Sequence, residues 1–245
     1  MTSSSASPAG EVHRVMTGRA GGVSAAPYDS CNLGGAVGDD PEAVRRNRSG
    51  VATRIGADPQ RFQWMGQTHS STVARVGHVE QLDATDGVVT TSPGLVLAVL
   101  VADCVPVLAA DPVAGVIGAA HAGRVGAADG IVPVLVQRML DAGARLDGID
   151  LLLGPAICGS CYEVPSALQA EVEHVLPGSA CETSWGTPGL DLRAGLRHQA
   201  LATGVAAVAV DERCTMTDDA LFSHRRAQRA GTTTGRQAGL IWLEN

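Results

Sequence analysis

A mixed fold of strands and helices, α/β or α+β, follows from three features of this 245-residue chain. Short apolar runs of roughly four to eight residues alternate with longer amphipathic segments. Gly and Pro bound the runs, which favours strands over buried helix. No internal repeat, heptad or Pro/Ser-rich linker divides the interior, so one domain is the simpler arrangement.

The first element is a helix over residues 41–55. Asp40 can cap it, and Pro41 at the first helical position gives up no hydrogen bond. Turning about 100° per residue from Val44, Val51 and Ile55 fall within about 20° of one line. Arg48 falls at about 40°, inside that apolar stripe, and Asn47 borders it at about 300°. A guanidinium facing the core needs a partner, because an unpaired buried charge is costly. It is either a salt bridge to a structural carboxylate or an anion site at the core's edge.

Strands follow at 62–66, 95–102 and 116–120, then a helix at 130–142 and a strand at 150–153. Helices at 165–175 and 192–201 precede strands at 205–210 and 238–243. Residues 1–10 carry neither a positive n-region nor an apolar h-region, so they read as a disordered tail rather than a signal peptide.

Apolar residues are 45% of the chain and aromatics only 3%, so the core must be built from Ala, Val, Leu and Ile. With 25 acidic against 18 basic residues the net charge is -7. That balance excludes nucleic acid as a natural partner, since affinity there comes from neutralising phosphates. No polybasic segment marks a membrane surface. Asp103, Pro106, Asp111 and Pro112 interrupt the most apolar stretch, so it does not span a bilayer. With no export signal, a cytoplasmic location is expected, with the six cysteines mostly reduced.

Three residues form a candidate metal set. His69 follows the strand at 62–66, Cys104 ends the most apolar strand, and His121 ends the next one, before a Gly-rich turn. Loops at strand ends assemble sites. Imidazole nitrogen and thiolate sulfur suit Zn²⁺, and three protein ligands leave a fourth position for water or substrate. Such an ion lowers the pKa of bound water and polarises an acceptor oxygen. From 69 to 104 is 35 residues and from 104 to 121 is 17, so only the tertiary fold can bring the three together. Taken singly, a Cys is ordinary packing and a His an ordinary polar residue. The single CxxC pair of Cys158 and Cys161 has no second pair at knuckle spacing, so it is a weak metal or redox signal. The run from Gly118 has P-loop glycine spacing but reads Arg124-Val125 where Lys and Ser or Thr are required, which removes that reading.

Several segments together resemble one family, the YfiH-type proteins. These are also called polyphenol oxidoreductase laccase-domain proteins or peptidoglycan editing factors, with purine nucleoside phosphorylases among their relatives. The segments include GQTHSSTV, TDGVVT, LAVLVADCVPVLAADPVAGVIGAAHAGRVG, LGPAICGSCYEV and FSHRRAQRAGTTTGRQAGLIWL, in the family's order from about Gly21 to Leu243. The ADC and HAG pair, with QxH upstream and GPAIxxxCYEV downstream, is specific. The resemblance implies one catalytic domain over 11–245, built of packed mixed β-sheets flanked by helices, with Zn²⁺ on His69, Cys104 and His121. It implies phosphorolysis of adenosine, inosine and methylthioadenosine, together with deamination of adenosine. Asn32, Arg48, Gln67 and Arg225 match positions near the family's pocket, which moves Arg48 toward the functional reading. One departure stands out: the family usually reads HAGWRG, whereas this chain reads HAGRVG across 121–126. If the missing Trp packs the pocket wall, substrate choice changes with it.

Phosphorolysis passes through a cationic sugar, so phosphate must lie near C1′ while charge leaves on the base. Arg48 and Arg225 together are expected to hold the phosphate, with zinc orienting phosphate or a ribose oxygen. For deamination, zinc activates water and a carboxylate, Asp103 or Glu163, handles protons. Three rival readings remain. Copper oxidation needs more histidines than the seven present. A metal-free Cys–His amidohydrolase editing peptidoglycan precursors would use Cys104 as nucleophile and His121 as base. A non-catalytic zinc or partner-binding module would close the metal with a fourth ligand such as His224.

Overall fold

Small and β-branched side chains on both faces of a strand suit it to burial between layers, and the apolar runs of this chain are used that way. The computed structural model describes residues 10–244. The expected tail at 1–10 therefore lies outside the described residues except for Gly10.

In chain order the elements are β1 (Val12–Met16), α1 (Pro41–Arg54), β2 (Phe62–Gln63), β3 (Val73–Arg75), β4 (Gly87–Thr90) and β5 (Val96–Val101). Next come β6 (Val105–Asp111), β7 (Val116–Ala122), α2 (Arg124–Ala128), α3 (Ile131–Asp141), β8 (Asp150–Leu153) and α4 (Ser166–Val175). The last are β9 (Ala180–Glu182), β10 (Pro188–Leu190), α5 (Leu192–Ala202), β11 (Ala207–Val210), α6 (His224–Arg229) and β12 (Gln237–Leu243).

Two mixed sheets carry the fold. One has the order β1-β12-β5-β2 and the other β11-β8-β6-β7-β4-β3, with parallel pairs only at the edges, β5 with β2, β11 with β8 and β4 with β3. Strand alternation sorts the side chains. Leu97, Val99 and Val101 of β5 meet Leu108 of β6 and Ile117 of β7 between the sheets. Val96 and Ala98 face the other way, onto Val51 and Ala52 of α1. On the far side of the larger sheet, Val107, Ala109 and Ala120 pack on Ile131, Leu135 and Met139 of α3 and on Leu196 of α5. The result is a helix, two sheets and a second helical layer in succession, as the mixed-sheet expectation required. Among the described residues no helix is long and apolar enough to cross a membrane.

The four expected helices are present, each within one residue at either end. Asp40 caps α1 by accepting the Glu42 N–H. Of the strands, 150–153 is reproduced and 238–243 and 95–102 nearly so, while 62–66 shrinks to Phe62–Gln63. Pro106 interrupts the apolar stretch in sequence without ending a strand, and β6 runs straight through it. The Pro106 carbonyl takes the Gly154 N–H just beyond β8, so the missing donor falls where that strand has ended. β7 also continues two residues past 120, so His121 lies within the strand.

The inter-sheet layer is where a cavity should cost most. Leu108→Ala, at a wholly buried position, is expected to lower unfolding free energy by about 2–5 kcal/mol. Val113→Ala, at a position 82% exposed, should change it by less than about 0.5 kcal/mol. Urea unfolding followed by circular dichroism checks both.

Candidate metal centre

A buried carboxylate needs several donors to replace its water, and Asp86, wholly buried just before β4, has them. Its Oδ2 accepts the Thr68 N–H (3.0 Å), the Ser70 N–H (2.8 Å) and the Ser70 hydroxyl (2.8 Å). Its Oδ1 accepts the His69 N–H at 3.0 Å and lies 2.8 Å from Nδ1 of His121. The Asp86 carbonyl also takes the His121 N–H. Burial works against the charge, but the bonds from His121, Thr68 and Ser70 outweigh it and hold this carboxyl well below the usual range. The same bonds stabilise His69 at φ 64°, a left-handed conformation that is uncommon for a residue with a side chain.

Cys104 lies in the bend between β5 and β6, directly after Asp103, whose φ is 89°. The Asp103 carboxylate accepts the Thr215 hydroxyl (2.6 Å) and the Arg225 N–H (2.5 Å), and its carbonyl accepts the Ile157 N–H. Three distant loops are thereby tied at the residue next to the thiol.

The ligand atoms of His69, Cys104 and His121 all lie within 4.8 Å of one another. Tetrahedral zinc would set them about 3.3–3.7 Å apart, which asks a contraction of about 1.5 Å at most. The imidazoles meet edge to face at 71° with centroids 4.7 Å apart. Gly123 makes this packing possible, because a Cβ there would stand 2.3 Å from His69 Nδ1 and 3.2 Å from the Cys104 sulfur. Burial alone would push the Cys104 thiol up, yet hydrogen bonds and charge from His121 and His69 bring it down to about 6. Burial likewise opposes charge on His121, and its bonds to Asp86 and Cys104 raise it to about 9. His121 is buried and His69 exposed, so the group is sheltered on one side and open on the other. Two imidazoles and a thiolate fit a borderline-soft divalent ion. His224, the residue a closed site would need, stands outside the three-residue group.

Two cavities meet at His69, Ala102, Cys104 and His224. The larger, about 880 Å³, is lined by Arg48, Gln67 and Arg236 and by the 34–37 loop. Arg48 has no carboxylate partner among the described residues, so of its two readings the salt bridge does not form. Its Nε and Nη2 donate to the Leu33 carbonyl at 3.0 and 2.8 Å, and its guanidinium lies 4.0 Å over the Trp64 ring. Arg236 also lacks a carboxylate partner among the described residues, and Nη1 donates to the carbonyls of Thr234 and Gly235. Burial lowers the pKa of both groups.

The smaller cavity, about 230 Å³, is lined by Arg124, Val125, Ile157, Tyr162 and Arg225. Arg225 donates from Nη1 to the Glu163 carbonyl and lies 5.0 Å over the Tyr162 ring. Arg48 and Arg225, the pair expected to hold phosphate jointly, thus line different, adjoining cavities, and Arg236 shares the cavity with Arg48. Asp103 lines the smaller cavity, whereas Glu163 does not. The segment that departs from HAGWRG contributes Arg124 as a cationic wall.

Gln67 spends both ends of its amide on the backbone of Leu100, at 2.8 Å each way, and so anchors the segment leading to His69. Asn32 is wholly buried and lines neither cavity. Its amide joins Gly34, Asp39 and the Arg236 N–H, so it positions the loop and the arginine rather than facing the space. Sequence reasoning missed Asp86, Arg236 and Tyr162. Each lies in a quoted segment, but nothing in spacing marks Asp86 as the shared acceptor.

The family model described as multi-copper polyphenol oxidoreductase laccase matches residues 13–244. A protein named purine nucleoside phosphorylase from Mycobacterium tuberculosis is 52% identical over 235 residues, 95% of this chain and 92% of its own. One of the same name from Corynebacterium glutamicum is 51% identical, covering 95% and 94%. The crystal structure of the hypothetical protein YfiH from Bacillus licheniformis superposes with a TM-score of 0.88 at 30% identity, covering 97% of each chain.

Asp86→Asn removes the charge that orients His121 and the 68–70 loop. Affinity for a divalent ion is expected to fall roughly 10- to 100-fold, measured by competition with a chromogenic chelator.

Proposed function

The chain belongs to the multi-copper polyphenol oxidoreductase laccase family, and from that premise we propose that it is a zinc-dependent purine nucleoside phosphorylase. Adenosine, inosine and methylthioadenosine are the proposed substrates, with deamination of adenosine as a second reaction at the same centre. The names of the half-identical relatives support the phosphorylase reading. The observation that carries it is the pair Arg48 and Arg236, half-buried guanidiniums without carboxylate partners among the described residues, on the cavity that reaches His69, Cys104 and His121.

In this reading phosphate enters the larger cavity, where two guanidiniums offer charge-assisted bonds to a dianion. Ribose lies across the junction of the cavities. The base enters the smaller cavity, which at about 230 Å³ is below the roughly 300 Å³ of sites for whole drug-sized ligands. Tyr162, Ile157 and Leu192 supply ring and aliphatic faces there, and Arg124 and Arg225 supply donors to a base gaining negative charge as its glycosidic bond breaks. His69, Cys104 and His121 would hold Zn²⁺, which supplies Lewis-acid stabilisation of an oxygen at the junction and activation of water for deamination. Of the two candidate carboxylates, Asp103, which lines the smaller cavity, is the one proposed to handle the deamination proton.

Copper oxidation is disfavoured because no ligand group among the described residues gathers more than two imidazoles. The depressed thiol of Cys104 beside a charged His121 gives a metal-free nucleophile some footing. Alkylation separates the two: zinc shields Cys104, whereas a free nucleophile reacts quickly.

The test is elemental analysis followed by incubation with adenosine, with and without phosphate. Adenine formed only with phosphate, and inosine formed without it, are the expected products. His121→Ala should lose the ion and both activities, and a metal-free variant with full turnover would overturn the scheme. Arg236→Ala should raise the KM for phosphate roughly tenfold or more while moving the KM for nucleoside far less.

A further inference from the structure

Apart from the centre described above, four of the six cysteines gather around one turn. The sulfurs of Cys158, Cys161 and Cys214 all lie within 4.8 Å of one another. The 158–161 turn closes through the N–H groups of Cys161 and Tyr162, both donated to the Cys158 carbonyl. Cys214 comes from the irregular stretch between β11 and α6. Ala156 pairs with Cys214 in a parallel bridge, and the Thr215 N–H reaches the Ala156 carbonyl. The Cys158 N–H points at the Cys214 sulfur at 3.3 Å, a bond that favours a thiolate there. A fourth sulfur, Cys181, lies against Gly159, only 2.6 Å from where a Cβ would stand.

We propose that Cys158, Cys161 and Cys214 form a second metal site, a thiolate clip for Zn²⁺ joining the 158–161 turn to the loop after β11. Sulfurs on tetrahedral zinc stand about 3.8 Å apart, so the group needs a contraction of an ångström or less. Each thiol gives up its proton on binding. Cys158 is half-buried, which leaves water access to the fourth position, while Cys161 and Cys214 are only 7% and 9% exposed. A dithiol switch on the CxxC pair fits less well. No helix begins until Ser166, so the pair lacks the helix N-terminus that activates such cysteines, and the third sulfur would have no part. The clip has a consequence for the first centre. Ile157 and Tyr162, on either side of the turn, line the smaller cavity, and Thr215, next to Cys214, holds the carboxylate of Asp103 beside Cys104.

Cobalt titration of the reduced protein tests this, because thiolate-to-cobalt charge transfer absorbs in the near ultraviolet. Wild type should take up two equivalents and release both to Zn²⁺. Cys158→Ser and Cys214→Ala should each retain one equivalent and lose most of the charge-transfer intensity, since three thiolates leave and only Cys104 remains. Cys104→Ser should retain one equivalent with most of the intensity. Cys158→Ser is the variant expected to fold in any case, being half-exposed, and circular dichroism verifies it. The proposal is overturned if wild type binds a single equivalent that Cys104→Ser abolishes, if the intensity survives both Cys158→Ser and Cys214→Ala, or if alkylation and mass spectrometry find a Cys158–Cys161 disulfide in protein that takes up no second equivalent after reduction.

Discussion

Placing an ionised carboxylate in a dry interior is unfavourable unless hydrogen bonds take over from water, and Asp86 turns that constraint into the organising fact of the site. The groups that satisfy it come from the 68–70 loop and from His121. They cannot satisfy it without presenting two imidazoles to the same point. A carboxylate behind the cluster therefore determines where His69 and His121 stand. The oriented imidazole also keeps its tautomer: with Nδ1 given to the carboxylate, the other ring nitrogen is left for coordination.

The layers of the fold supply what Asp86 does not. β7 carries His121 in the middle of the larger sheet, between β6 and β4, so the ring cannot wander. Cys104 sits where β5 of one sheet passes to β6 of the other, a crossing that the inter-sheet core of Leu97, Leu108 and Ile117 fixes from below. Asp103 adds a second buttress through Thr215 and Arg225. β7 places His121, the bends held by Asp86 and Asp103 place His69 and Cys104, and irregular loops shape the two cavities around them.

Much of this was legible in the residues. The apolar periodicity of the helices and the Asp40–Pro41 start of α1 are local signals, and local signals survive folding. The convergence of His69, Cys104 and His121 was legible through the ADC, HAG and QxH segments, though not through spacing. β6 was hidden because Pro106 reads as a breaker until the end of β8 is known to lie beside it. β1, β3, β4, β9 and β10 were hidden because runs of three to five residues carry little pattern of their own. Arg48 admits two readings in sequence, and the choice depends on Trp64 and Leu33, which lie outside its own helix. Asp86 and Arg236 were illegible for a similar reason, since each acts through partners that only the tertiary fold assembles.

The wide separation of His69, Cys104 and His121 along the chain bears on when an ion can arrive. In a zinc knuckle the ligands are near neighbours, so the ion can nucleate the structure. Here the two sheets must already have closed before any three donors coexist, and closure of that kind depends on slow, non-local pairing. An ion bound as proposed would be a late guest: it would seal a finished framework rather than seed one, and apo chains should reach native strand pairing unaided.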